Sequence, residues 1–536
     1  MSAYTKNEIP DVVIIGAGAS GAAFAWSLVN KGFSVVCLEQ GGWEDPSSYP
    51  SNKVDWELSR ITSMNADPNV RKLPQDYPVN SDDSPITPLM YNAVGGSTIH
   101  WSGHFPRFKP SDFKVRTLDG IAEDFPMSYS DLEPYFDTND SITGVSGITG
   151  DPANPERSDR QTNPIPLGTL GEKIAKGFDN LGWHWWPSDS AIITQPFDGR
   201  QACNNCGPCD IGCSRKAKAS TDVTYWPKAI SKGAILKTWS RVRAVTLSKT
   251  GLADGVEYYD RDGTLHKQKA KSVVIASNGI GTPRILLNSH SSKFPTGLAN
   301  SSGMVGKNLM FHPYGSVTGI FEDKLNGYQG PIGAAILSQQ FYETDLSRGF
   351  FRGYTFQLAR SSGPLTTALG GLGKDTRIPW GTEHHKIFKE RFAHTATICV
   401  IGEDLPELHN MVSIDDDLID IYGIPAPKIS YKMSENSKRM IEHGIKMAKK
   451  VMEAAGSKEI LSNSLMKPAG WHLMGTARMG NDPETSVVDK NGRAHDIQNL
   501  YIIDGSILVT GGAVNPTSTI QAIALYIADK FENCVK

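Results

Sequence analysis

Two hydrophobic textures alternate along this chain. Val12-Val-Ile-Ile15, Val35-Val-Cys-Leu38 and Val273-Val-Ile-Ala276 are short unbroken apolar runs, the pattern of strands buried on both faces of a parallel sheet. From about 312 to 465 apolar and polar residues alternate instead, as in His394-Thr-Ala-Thr-Ile-Cys-Val-Ile401, which predicts half-buried antiparallel strands. One amphipathic helix is predicted to interrupt them from Ser434 to Ala455, and another to close the chain from Thr517 to Phe531. Residues 111–200 mix amphipathic pieces with the strand-like Gly182-Trp-His-Trp-Trp186, whose tryptophans read as buried or half-buried strand positions. The polar, proline-rich stretch 51–84 reads as a loop or lid. A chain of 536 residues is too long for one compact core, so the pattern predicts a two-domain α/β protein.

The first fifty residues carry the strongest local signal. Val12–Ile15 leads into Gly16-Ala-Gly18-Ala-Ser20-Gly21, a helical stretch, a second strand, and then Glu39, eighteen residues after Gly21. Glycines at that spacing let the chain turn tightly and let backbone N–H groups approach a pyrophosphate at a helix N-terminus. The acid is placed to accept from a ribose hydroxyl. A dinucleotide is expected here, and these residues leave open whether it is NAD or FAD. A second block, Gly95-Gly96-Ser-Thr-Ile-His100-Trp101-Ser102, suits backbone lying against a flat ligand. A third, Ser277-Asn278-Gly-Ile-Gly-Thr-Pro283, follows a buried strand and predicts a helix opening at Pro283.

The net charge of −3 and pI near 6.5 give no electrostatic reason to expect nucleic acid or an anionic membrane. The apolar stretch Val12–Val29 has the look of a signal-peptide core, but its removal would destroy the nucleotide turn. No membrane span is visible, so the chain is expected in the cytoplasm, or in the periplasm by export with a partner. Of seven cysteines, Cys37, Cys399 and Cys534 are scattered, and Cys37 reads as core packing. Cys203, Cys206, Cys209 and Cys213 run C-x2-C-x2-C-x3-C, the spacing by which bacterial ferredoxins hold cubane clusters. Zinc and, in an exported protein, two local disulfides compete with that reading. Arg215, Lys216 and Lys218 read as a solvated face, and His384-His385 as surface loop.

Four blocks in order resemble the glucose–methanol–choline (GMC) oxidoreductase family over nearly the whole chain: Gly16 to Glu39; Gly95-Gly96 with His100-Trp101; Val274 to Leu287; and Trp471-His472-Leu-Met-Gly-Thr476 with Asp504-Gly-Ser506 and Asn515-Pro-Thr517. The resemblance implies FAD rather than NAD, and an enzyme that oxidises alcohols. It implies a Rossmann-like FAD-binding domain assembled from 1–50, 85–110, 200–310 and 465–536. The substrate-binding domain, with its large antiparallel sheet, would come from 111–199 and 311–464. Implied cofactor contacts are Gly16, Gly18, Ser20, Gly21, Glu39, Gly95, Gly96, His100, Trp101, Ser102, Ala276, Asn278, Asp504, Gly505, Asn515, Pro516 and Thr517. Gly-Gly-x-x-x-His-Trp is similar to pyranose oxidase, in which that histidine bonds the flavin covalently; noncovalent FAD beside His100 is the expectation. The cysteine segment resembles the bacterial branch that includes the flavin subunits of gluconate, fructose and glucoside-3-dehydrogenases. That implies a [3Fe–4S] centre at Cys203, Cys206, Cys209 and Cys213.

Oxidising a CH–OH carbon requires a base for the hydroxyl proton and an acceptor for the hydride, here flavin N5. The resemblance implies His472 as the base and Asn515 as its companion. An imidazole titrates near neutral pH, whereas an amide can only donate to developing alkoxide charge. The expected reaction is oxidation of a secondary alcohol of a sugar, glycoside or sugar acid, with electrons leaving through iron–sulfur to a partner. That partner is expected to be an electron-accepting or small chaperone-like subunit. An oxygen-using oxidase of the same fold, a dehydrogenase of an aromatic alcohol and a non-catalytic flavin electron-transfer subunit are the alternatives.

Overall fold

The computed structural model describes residues 9–333, 335–360, 363–370 and 378–532, so Cys534 lies outside the described residues. Val12–Ile15 is the central strand of a five-stranded parallel sheet ordered Leu500–Ile502, Ser272–Ile275, Val12–Ile15, Val35–Leu38, Ile235–Lys237. Its apolar runs are unbroken because both faces are covered, and Val12, Val13, Ile14, Val273, Val274 and Ile275 are wholly buried. Helices Ala19–Asn30 and Thr517–Lys530, from opposite ends of the chain, pack side by side on it.

Helix Tyr129–Thr143 packs on Thr517–Lys530, and Phe113, Phe125, Leu132 and Phe136 join the same core. The stretch 111–199, expected as one piece of the substrate-binding domain, therefore divides. Its later helix, Gly168–Leu181, packs instead on Glu435–Ala454 behind the second sheet. Periodicity shows which stripe of a helix is apolar, not which core receives it.

The second sheet has six antiparallel strands, ordered Glu459–Asn463, Tyr314–Ile320, Thr395–Gly402, Tyr354–Ala359, Ile336–Phe341, Trp186–Pro187. Tyr354, Phe356 and Leu358 face the core under helix Glu435–Ala454, while Gln357 and Ala359 line a cavity on the other side. Burying a side chain of that size contributes about 1.5–3 kcal/mol, so one face anchors the sheet while the other is free to be polar. Of Gly182–Trp186 only Trp186 enters a strand, the two-residue edge strand Trp186–Pro187. Trp183 packs edge-on against Phe341. The stretch 51–84 carries short helices, Trp56–Ile61 and Pro68–Arg71, and a strand, Asn80–Asp83, paired with Pro425–Ser430.

The helix expected to open at Pro283 spans Asn278–Asn288, with the proline inside it. Pro283 has no N–H to offer the Gly279 carbonyl, and the Thr476 hydroxyl donates to that oxygen instead, at 2.7 Å. No acceptor is orphaned, so the interior proline is tolerated. Among the described residues no helix is long and apolar enough to cross a membrane.

Candidate active site

A cavity of about 600 Å³ runs from the nucleotide turn to the polar face of the antiparallel sheet. Its first end is made of backbone. Gly16 has φ +104°, and a Cβ there would lie 2.5 Å from the Ala276 carbonyl oxygen; on Gly21 it would lie 2.1 Å from that of Gly16. Neither position admits a side chain. Gly18 is the opposite case: a Cβ would meet nothing within 4 Å, because the space before it is the cavity. Helix Ala19–Asn30 starts there without a side-chain cap, leaving its first N–H groups for an anion.

Glu39 lines the same end and accepts from the N–H groups of Ala17 at 2.8 Å and Gly41 at 2.9 Å. Burial nonetheless pushes its carboxyl up to about 7. A hydroxyl donating to the carboxylate would oppose that shift.

Of the expected cofactor contacts, Gly16, Gly18, Ser20, Glu39, Gly96, His100, Trp101, Ser102, Ala276, Asn278, Asp504, Gly505, Asn515, Pro516 and Thr517 line the cavity. Gly21 and Gly95 lie behind it, Gly21 against Gly16 and Gly95, at φ +100°, beside Asp222. The Asp504 carboxylate is engaged by the Ser277 and Ser506 N–H groups and the Thr282 hydroxyl, so it ties the last strand to helix Asn278–Asn288. His100 packs 4.4 Å from the Tyr91 ring. His100 Nε2 and Trp101 Nε1 are both buried without a protein partner. Two orphaned polar atoms in one cavity wall mark a place built for a ligand. With the open space at Gly18 and the acid at Glu39, they fit FAD.

The far end joins His472 and Asn515. Asn515 Nδ2 lies 3.4 Å from His472 Nε2, and Gln357 Nε2 donates to Asn515 Oδ1 at 2.5 Å. Burial holds His472 well below the ordinary imidazole range, and the neighbouring His312 and His104 add to the effect. Its imidazole is uncharged at neutral pH. His104 lines the cavity, with Nδ1 2.7 Å from the Ser188 hydroxyl and burial holding it down at about 3. His312 Nδ1 lies 2.6 Å from His472 Nδ1. Sequence reasoning missed His104, His312 and Gln357. The available signal for His312 was one polar residue inside the apolar run Leu309-Met-Phe-His-Pro313.

The cysteine segment surrounds a separate space of about 10 Å³, room for one water at most. Cys203, Cys206, Cys209 and Cys213 are free thiols, not disulfides. Among the described residues no three His, Cys, Asp or Glu side chains are grouped to hold a metal ion, so as arranged the thiols do not fit a cluster. Lys218, expected on a solvated face, is buried. Its ammonium donates to the carbonyls of Ile99 at 2.6 Å, Trp101 at 3.0 Å and Cys209, which replace its water. This ties the cysteine loop to the His100–Trp101 wall. His384 and His385 begin a surface helix, His384–Arg391.

Set beside known proteins, residues 13–314 match the N-terminal model of the GMC oxidoreductases and 406–524 the C-terminal one. The chain is a GMC oxidoreductase. This GMC oxidoreductase is 43% identical over 542 residues to a 2-methyl-1,2-propanediol dehydrogenase of Mycolicibacterium austroafricanum, covering 99% of this chain and 97% of that one. It is 31% identical to the fructose dehydrogenase large subunit of Gluconobacter japonicus, covering 98% of each. A solved formate oxidase of Aspergillus oryzae RIB40 shares its fold with a TM-score of 0.65 at 13% identity, over 98% of both chains. The expected family and fold therefore hold, and with them an FAD-binding oxidoreductase acting on CH–OH groups.

Proposed function

We propose that this GMC oxidoreductase is a dehydrogenase of a small polyhydroxylated substrate, a diol or the secondary alcohol of a sugar, glycoside or sugar acid. The observation that carries it is the neutral His472 beside the Asn515 amide, on a cavity continuous with the nucleotide turn. The two relatives named above, a diol and a fructose dehydrogenase, support the substrate class.

Bound FAD supplies the acceptor for the hydride leaving carbon. His472 accepts the hydroxyl proton at Nε2, a role worth about 10²–10⁴ in rate. Asn515, its amide held by Gln357, donates to the oxygen as it gains charge. Glu39 and the Gly16–Gly21 turn would hold the nucleotide, at the end of the cavity away from His472.

An anaerobic titration of the yellow protein with diols, sugars and aryl alcohols tests the reading. Fading of the oxidised-flavin band with a diol or sugar is expected, and fading only with aryl alcohols overturns the substrate class. Dye reduction far faster than oxygen uptake is expected of a dehydrogenase with an electron-accepting partner subunit; the reverse makes it an oxidase. A [3Fe–4S] centre at Cys203, Cys206, Cys209 and Cys213 rests on their spacing. Iron by elemental analysis in active protein supports it, and iron-free active protein overturns it.

A further inference from the structure

The proposed proton transfer needs one nitrogen of His472 bare and turned to the substrate, and the residues next to it in sequence do not set which one. We propose that His312 is a positioning residue that fixes His472 as the Nδ1–H tautomer, keeping the Nε2 lone pair for the substrate. This rests on reading His472 as the base.

His312 precedes the strand Tyr314–Ile320, and its side chain is fully buried. Its Nε2 faces the carbonyl oxygens of Gly512 and, at 3.2 Å, Gly511. Carbonyls only accept, so Nε2 carries the hydrogen. Burial holds His312 down at about 4, so at neutral pH its Nδ1 is bare. That Nδ1 lies 2.6 Å from His472 Nδ1. One of the two must donate, and His312 cannot. His472 therefore carries its proton on Nδ1, and its Nε2 lone pair meets only the Asn515 amide nitrogen, at 3.4 Å, a long contact that the substrate hydroxyl would displace.

The bonds run in one direction, from Gln357 through Asn515, His472 and His312 to the Gly512 carbonyl. No carboxylate takes part. The other titratable groups around His472 are His104, Tyr314, 6.0 Å away between ring centroids, and Cys399, which lines the same cavity. Burial keeps His104 neutral at about 3 and raises both Tyr314 and Cys399, the thiol to about 12. The nearby Asp404 is turned to the Phe311 N–H and the Tyr431 hydroxyl. His312 thus orients the base without strengthening it, so a carboxylate in its place would do both.

The test uses FAD-loaded wild type, His312→Leu, His312→Asn and His312→Asp. It measures kcat, KM, the pH profile of kcat/KM, and the His472 tautomer by 15N NMR of histidine-labelled protein, which needs no turnover. His312→Leu should lower kcat about 10²–10⁴-fold with KM changed little, and should move the His472 proton to Nε2. His312→Asn, whose Oδ1 still accepts, should recover most of the loss. His312→Asp should raise the acid limb by about 1–3 pH units, as an adjacent opposite charge does. Wild-type kinetics in His312→Leu overturn the proposal. So do equal losses in the Leu and Asn variants with the acid limb and 15N shifts unmoved. Should His312→Leu not fold, the wild-type tautomer and the Asp-variant acid limb decide. An Nε2–H signal in an alcohol-oxidising wild type overturns the positioning role alone; a wild type whose flavin no alcohol bleaches overturns the functional reading and this role together.

Discussion

The two ends of the cavity are built of different material. The nucleotide end is backbone: Gly16, Gly18 and Gly21 fall within six residues, and Glu39 closes the next strand. The alcohol end is side chain, with His312, Gln357, His472 and Asn515 brought together by hydrogen bonds across the fold. A turn that presents N–H groups is a local object, so its residues must be contiguous. A hydrogen-bonded set of side chains needs only a scaffold to hold it, so its members can lie hundreds of residues apart. The first kind should fail all at once and the second by degrees.

The largest expected effect is at the turn. A Cβ on Gly21 would sit 2.1 Å from a backbone oxygen, and neither the strand nor the helix can give way without losing the cradle. Gly21→Val should yield colourless protein, read as flavin absorbance per chain. Yellow, active Gly21→Val enzyme would end the distinction between the two regions. His472→Ala should come next: yellow protein, with turnover lower by about 10²–10⁴. Loss of flavin there would mean that the alcohol end also builds the nucleotide site. Gln357→Leu should be milder. It leaves the half-buried Asn515 Oδ1 without its donor, a cost of about 1 kcal/mol for an acceptor at the cavity wall, or about 5-fold in kcat/KM. An unchanged kcat/KM would show that the amide needs no holder.

The same division decides what could be read from the chain. The turn, its helix and the acid are local, and Gly16, Gly18, Ser20 and Glu39 line one cavity with Gly21 behind them. Alternation along Tyr354–Ala359 tells that Gln357 faces away from the apolar core, but not that Asn515 is what it faces. The Tyr129–Thr143 helix went to the other core for the same reason. Lys218 reads as surface, with Arg215 and Lys216 beside it, because a lysine almost always is. Three carbonyls, two of them more than a hundred residues away, bury it. Pro283 reads as a helix start until Thr476, from the far end of the chain, takes the carbonyl it leaves free.

The smallest effect sharpens the comparison on the pH axis. At the alcohol end, burial holds His104 at about 3 and His312 at about 4, against about 6.5 in an unfolded chain. Below that value the unfolded chain binds protons the folded one refuses, so their contribution is present above about 6.5 and is lost as pH falls toward 4. Glu39 at the nucleotide end works the other way. Raised to about 7 from about 4.3 unfolded, it contributes stability below about 4 that is lost as pH rises through 7. Glu39→Gln does not ionise, so flavin-free Glu39→Gln protein should keep the acid-side fall in Tm and flatten the decline between pH 5 and 8. The change should be a few degrees, at about 1 °C per kcal/mol for a chain of this length. A Tm profile identical to wild type would show that Glu39 is already ionised without the nucleotide, its two N–H donors outweighing burial.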